Sequence, residues 1–252
     1  MKIQYASDLH LEFSENSKYI KKHPLKTVGD VLILAGDIIT WDEDFYDHPF
    51  FDYISLKFNH TYYLPGNHEF YKGVDIKMLR KPVCENIRKN VHLVNNVVVN
   101  IGEADLFFTP LWTDVAPDKI MLIKRGINDF HNIKYRNQPY TVSDHNIFHK
   151  RSIDFLTKTL KASDAKKKIV VTHWVPSRLC NHKLYKNSSI NDFFVTELYD
   201  FIYHSDIDYW IYGHHHFNAE KIEIGGTTLL TNQLGYVQSE VLKFNRKAYI
   251  KL

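Results

Sequence analysis

VLILAGD, residues 31–37, sets five apolar residues in a row against a glycine and a carboxylate. A run this short, with no polar alternation, is what a central strand buried on both faces looks like. The same unit recurs to either side of it. KIQYA (Lys2–Ala6) leads into Ser7, Asp8, Leu9 and His10, and TYYL (Thr61–Leu64) into Pro65, Gly66, Asn67, His68 and Glu69. IVV (Ile169–Val171) ends in Thr172 and His173, and YWIY (Tyr209–Tyr212) in Gly213, His214, His215 and His216. Ligands of open α/β sheets bind just past the carboxyl ends of strands. Five strand ends therefore deliver Asp, Asn or His to the place where chemistry is expected, in an order that one sheet can bring together.

Helical spacing is expected over Phe45–Phe58, Ile76–Lys89, Asp144–Leu160 and Asp192–Tyr203. Val91–Pro110 reads instead as strands joined by turns at Asn95-Asn96 and Gly102-Glu103. Lys221–Ile224 and Thr227–Thr231 read as a hairpin around Gly225-Gly226, with a last strand near Glu240–Lys251. The expected class is α/β, two sheets with helices outside, in one domain over residues 1–252. Thr113–Thr141 has no clear periodicity and is expected to be a long loop or partial lid near the site.

Composition narrows the function. With 252 residues, 44% hydrophobic and 14% aromatic, the chain can fill a large core. A net charge of +3 suits an anionic substrate, but Lys21-Lys22 and Lys166–Lys168 are short clusters that read as solvated surface; nucleic acid is not indicated. Cys84 and Cys180 show no metal-ligand spacing, which fits a reducing compartment. No apolar run approaches the roughly 18 residues of a membrane helix. Strand-like sequence leads straight into Asp8, leaving no room for a cleaved leader, so a cytoplasmic location is expected.

Each site residue alone has an ordinary reading: Asp37 as a helix cap, Asn67 as a turn residue, His173 as a satisfied core histidine. Five such clusters, all at strand ends, do not. Carboxylate, imidazole and amide oxygen without thiolate favour Mn²⁺, Fe²⁺ or Zn²⁺ over copper(I) or an iron–sulfur cluster. Asp8 and His10, like His214 and His216, are expected to share a face through period-2 geometry. Seven ligands (Asp8, His10, Asp37, Asn67, His173, His214 and His216) exceed one tetrahedral site and suit two ions sharing a bridge.

Asp-x-His, Gly-Asp, Gly-Asn-His-Glu, an isolated His and Gly-His-x-His stand here in the order of the calcineurin-like metallophosphoesterases, which the chain resembles from residue 8 to 216. The resemblance implies a four-layer α/β/β/α sandwich with two mixed sheets. It implies that Asp8, His10 and His216 bind one ion, Asn67, His173 and His214 the other, and that Asp37 bridges them. It makes His68 the catalytic histidine and a substrate contact with Asn67, and leaves His215 out of the ligand set. Many members carry a second Asp three residues after Gly-Asp to orient that histidine. Thr40 stands there in this chain, so Thr40 itself, Asp42 or Glu43 is expected to take the part. The reaction implied is in-line attack of a hydroxide bridging two divalent ions, Mn²⁺ the first choice, on a small phosphomono- or phosphodiester, nucleotides among them, with a nuclease or a non-catalytic scaffold of the same fold as alternatives. Trp112, Trp174 and the Arg125–His131 segment (RGINDFH) are candidates to line the pocket, the tryptophans by stacking on a base and Arg125 by contacting a phosphate.

Overall fold

The computed structural model describes residues 1–42, 44–182, 185–240 and 243–252. Its strands, in chain order, are β1 (Lys2–Ala6), β2 (Val31–Ala35), β3 (His60–Leu64), β4 (Val83–Arg88), β5 (Val91–Asn95), β6 (Val97–Ile101) and β7 (Ala104–Phe108). There follow β8 (Lys134–Tyr135), β9 (Gln138–Pro139), β10 (Lys167–Val171), β11 (Tyr209–Tyr212), β12 (Ile222–Ile224), β13 (Thr227–Thr231) and β14 (Tyr249–Lys251). The helices are α1 (Ser14–Lys22), α2 (Pro49–Lys57), α3 (Ile120–Gly126), α4 (Asp129–Asn132), α5 (Val142–Ala162) and α6 (Tyr199–Tyr203).

Two six-stranded mixed sheets carry the fold, with orders β14-β1-β2-β3-β5-β4 and β12-β13-β11-β10-β7-β6. The apolar runs are buried on both faces because each strand serves two cores. Val31, Ile33 and Ala35 of β2 join Ile169, Val171, Leu106 and Phe108 in the layer between the sheets. The alternate residues, Leu32 and Leu34, face outward into the core that holds Phe51 and Ile54 of α2. Period-2 alternation thus divides one hydrophobic run between two layers. The result is the α/β class with two sheets and outer helices that the sequence implies.

The parallel strands β1, β2 and β3 of one sheet, and β10 and β11 of the other, all end at the same edge. The site is therefore assembled by both sheets, not by the single sheet expected. Backbone bonds stitch the edge together: Asp8 N donates to Gly36 O (2.9 Å), His10 N to Asp37 O (3.0 Å), and Gly235 N to Asp8 O (3.0 Å).

Several elements differ from expectation. Ile76–Lys89 is a 3₁₀ turn over Ile76–Arg80 followed by β4, which pairs antiparallel with β5. Ile76, Leu79, Val83 and Ile87 do follow helical spacing, but Pro82 lacks the N–H and clashes with the preceding turn. Asp192–Tyr203 splits into a 3₁₀ turn (Asn191–Phe193) and α6, because Val195 bridges to Val175 as an isolated β partner. Thr113–Thr141 is not a bare loop; it holds α3, α4 and the β8–β9 hairpin, whose turn residues Arg136 and Asn137 donate backbone N–H groups to Asp75. The last strand is only Tyr249–Lys251, and Glu240 turns back toward the site.

Candidate metal centre

Asp8, His10, Asp37, His214 and His216 all have positive φ, at 54°, 48°, 54°, 84° and 52°. The strand-end segments are therefore not extended, and period-2 geometry is not what aligns Asp8 with His10 or His214 with His216. Left-handed kinks do it: each turns a polar side chain into the site while the intervening Leu9 goes to the core. The motif glycines serve close approach. A Cβ on Gly66 would lie 2.3 Å from Asp37 Oδ1 and 2.5 Å from His173 Nε2, and one on Gly213 would lie 2.6 Å from Asp8 Oδ2.

The seven side chains converge in two clusters. In the first, His10 Nε2 lies 2.9 Å from His216 Nε2, and His216 Nε2 lies 3.5 Å from Asp8 Oδ1. In the second, His173 Nε2 lies 3.2 Å from both His214 Nδ1 and Asn67 Oδ1. Asp37 Oδ2 stands between them, 3.3 Å from His173 Nε2 and 3.9 Å from His10 Nε2. Asp8–His10–His216 and Asp37–His173–His214 each offer ligand atoms within 4.8 Å of one another.

These donor sets fit cations. His10 Nδ1 faces Glu12 (3.1 Å) and His216 Nδ1 faces Glu240 (3.0 Å), which directs both Nε2 lone pairs at each other. Two lone pairs at 2.9 Å repel unless positive charge lies between them. His173 Nδ1 is fixed on Ala35 O (2.9 Å), so its Nε2 meets a ring of acceptors. Among the described residues His214 Nε2 is buried without a hydrogen-bond partner.

Electrostatics agree with this arrangement. Burial alone would raise the Asp37 carboxyl, but His173, His68 and His10 hold it well below the usual range. Burial pulls His173 down, and Asp37, with help from Asp8 and Ala35 O, outweighs it and raises the imidazole to about 9. His68 rises to about 9 in the same contest, through Asp37 and Glu12. His10 and His214 are lowered, first by burial and then by neighbouring imidazoles.

A family sequence profile, that of the calcineurin-like phosphoesterases, matches residues 1–218. The chain belongs to this family. Membership implies divalent metal ions, and the Asp/His clusters are where this phosphoesterase offers ligands. Over its length the chain is similar to the uncharacterized protein L509 of Acanthamoeba polyphaga mimivirus: 30% identity over 281 residues, covering 99% of this chain and 96% of that one. Among solved structures it is similar in fold to the phosphopantetheinyl hydrolase of Mycobacterium tuberculosis, with a TM-score of 0.71, 16% identity, and 94% and 90% of the two chains covered.

The phosphoesterase's remaining site residues are placed less as expected. Trp112 and Trp174 are 1% and 0% exposed and pack on each other at 4.0 Å between centroids, so neither lines the pocket. Trp174 instead lies under the His214 ring at 4.7 Å and donates to Phe193 O. Arg125 is exposed on α3 and does not line the cavity; Ile127, Asn128 and Asp129 of the same segment do. That cavity, about 540 Å³, opens over Asp37, Asn67 and His68. His215 has both ring nitrogens engaged, with Cys180 O and Gln233. Among the described residues no helix is long and apolar enough to cross a membrane.

Four carboxylates take parts that the strand-end motifs do not assign, although Glu69 closes the Gly-Asn-His-Glu motif and Asp129 lies in the Arg125–His131 segment. Glu12 faces His68 Nδ1 at 3.0 Å. Among the described residues no hydrogen bond joins Thr40 or Asp42 to His68; Asp42 is exposed and pairs with Lys72 at 3.2 Å, and Glu43 lies outside the described residues. Glu69, fully buried, accepts from Asp37 N, Ile38 N, Gly66 N and Tyr63 O–H, latching the β2 and β3 loops together. Asp129 accepts from Asn67 Nδ2 (2.9 Å) and the Tyr71 hydroxyl (2.7 Å), fixing the amide so that its oxygen faces His173. Glu240 holds His216. Glu12, two residues beyond His10, and Glu69, which closes the Gly-Asn-His-Glu motif and accepts from Gly66 N, leave a local signal; Asp129 and Glu240 reach Asn67 and His216 from 62 and 24 residues away.

Proposed function

We propose that this chain, acting as one unit over residues 1–252, hydrolyses an organic phosphate ester at a two-cation centre. In this reading Asp8, His10 and His216 hold one cation, Asn67, His173 and His214 the other, and Asp37 spans both. The observation that carries it is Asp37 Oδ2, 3.3 Å from His173 and 3.9 Å from His10, between the two ligand clusters. Such cations, with Mn²⁺ the first candidate, would activate water and neutralise charge on the phosphate oxygens.

The chain's own residues do the rest. Asp129 and Tyr71 hold the Asn67 amide in its ligating orientation. His68 lines the cavity beside them and is raised to about 9 by Asp37 and Glu12 against burial, so it carries a proton at neutral pH. We assign it the role of giving that proton to the departing ester oxygen, a contribution of about 10²–10⁴-fold. The cavity wall mixes Tyr71, Phe194 and Tyr236 with Asn128, Asn181 and Asn191, which complements a neutral ring or amide next to the phosphate and supports a nucleotide-like substrate.

The test is metal-dependent hydrolysis of p-nitrophenyl phosphate and bis-p-nitrophenyl phosphate, with Asp37→Ala alongside. We expect turnover of at least one ester with Mn²⁺ and a loss of 10³-fold or more, on the order of a metal ligand's whole contribution, in the variant. Folded, metal-loaded protein that turns over neither ester would count against the enzyme and for the scaffold.

A further inference from the structure

The carboxylate that faces His68 belongs to none of the five strand-end motifs. Glu12 lies on the turn after His10, its side chain 8% exposed, with Oε1 3.0 Å from His68 Nδ1 and 3.1 Å from His10 Nδ1. We propose that Glu12 is the positioning residue for proton delivery in this chain, one oxygen anchoring the proton donor and a ligand together. The inference rests on the donor role assigned to His68 above.

The geometry leaves little else to decide how the His68 ring sits. Tyr71 stacks on one side, 4.1 Å between centroids and 26° between planes, and His10 meets it edge-on at 4.4 Å and 74°. These contacts fix the plane of the ring but not its flip, because carbon and nitrogen edges fit the same slot. A carboxylate at Nδ1 settles the flip, since Nδ1–H donates to Oε1 only in one of the two orientations. Nε2 is then the atom on the opposite edge, where it lies 3.4 Å from the Tyr236 hydroxyl on the cavity wall. In the reaction water adds to phosphorus, the ester P–O bond breaks, His68 Nε2 gives its proton to the leaving oxygen, and the proton released by the attacking water restores the balance.

Because the same Oε1 also meets His10 Nδ1, Glu12 serves a ligand and the donor at once. Its own Oε2 is buried without a partner among the described residues, so no other group competes for the side chain's orientation.

The test uses leaving groups that differ in their need for a proton. p-Nitrophenolate departs unaided; phenolate is far more basic and gains from protonation. Glu12→Gln and Glu12→Ala are compared with wild type on the p-nitrophenyl and phenyl versions of whichever ester, mono or di, wild type hydrolyses. Bound metal and melting temperature are measured on the same samples. We expect kcat on the phenyl ester to fall about 10- to 100-fold, the usual effect of losing such an anchor, and kcat on the p-nitrophenyl ester to fall several-fold less. In a His68→Ala background, Glu12→Gln should cost nothing further on the phenyl ester. An equal loss on both esters at full metal occupancy, an unchanged phenyl rate, or additivity with His68→Ala would overturn the role of Glu12 and leave the proposed function standing. No turnover by wild type would remove the proposed function and this inference with it.

Discussion

Left-handed backbone at Asp8, His10, Asp37, His214 and His216 is unusual for residues with a Cβ, and each instance costs on the order of 1–3 kcal/mol. The loops tolerate it because their backbone bonds continue the sheet past its end, as from His10 N to Asp37 O and Leu11 N to Ile38 O. The strain therefore belongs to the site and not to the ligand atoms. Asp37→Gly and Asp37→Ala should both be inactive, yet the metal-free glycine variant should be the more stable by about 1 kcal/mol, since glycine alone is at ease at φ 54°. Urea unfolding of the two proteins checks this; alanine equal to or above glycine would mean the kink is unstrained. At this scale the residues proposed as ligands are legible because strand ends expose them in short local motifs. The kinks are not, since Asp and His do not announce positive φ. Nor are the parts of Asp129 and Glu240, whose partners lie far along the chain.

Elements were legible where periodicity was strong and unbroken. β2 and α5 formed as read, the latter closed by a capping box in which Thr141 and Asp144 satisfy each other's backbone N–H groups. β4 was misread because four apolar residues happened to keep helical spacing across Pro82, and pairing with β5 overrode it. Trp112 and Trp174 follow strand ends, which points to the pocket, but burial of two large apolar rings wins over exposure. Beneath them α5 carries His145, which accepts from Thr113 N at 3.1 Å and is therefore neutral. Burial, then His149, lowers it to about 3. The sign is clear: the unfolded chain takes up a proton below about 6.5 and the folded one does not until about 3. This contribution to stability is full above the unfolded value and is lost as pH falls, by about 1 kcal/mol per pH unit. His145→Gln should be less stable at pH 7 but should show a shallower acid-side slope, read from unfolding free energies at pH 7, 5 and 4. An unchanged slope would place the proton elsewhere.

Two sheets that end at one edge bring together the residues, from 8 to 216, of the proposed two-cation centre, so metal loading and folding should be coupled across the whole molecule. Both sheets must be in register for Asp37 of one to reach His173 of the other at 3.3 Å. Metal-free, the centre holds protons where cations would bind: Asp37 keeps His173 raised to about 9 against burial. Cations must displace such protons, so uptake should release them and weaken as pH falls below about 9. The decisive measurement is calorimetric titration of the metal-free protein with Mn²⁺ at pH 7 and pH 9, with turnover followed at each addition. Expected are two ions per chain, proton release that is larger at pH 7, turnover that appears with the second ion, and Asp37→Ala that fails to bind the pair. One ion per chain with full turnover, or two bound without proton release and unaffected by Asp37→Ala, would contradict the proposed two-cation centre.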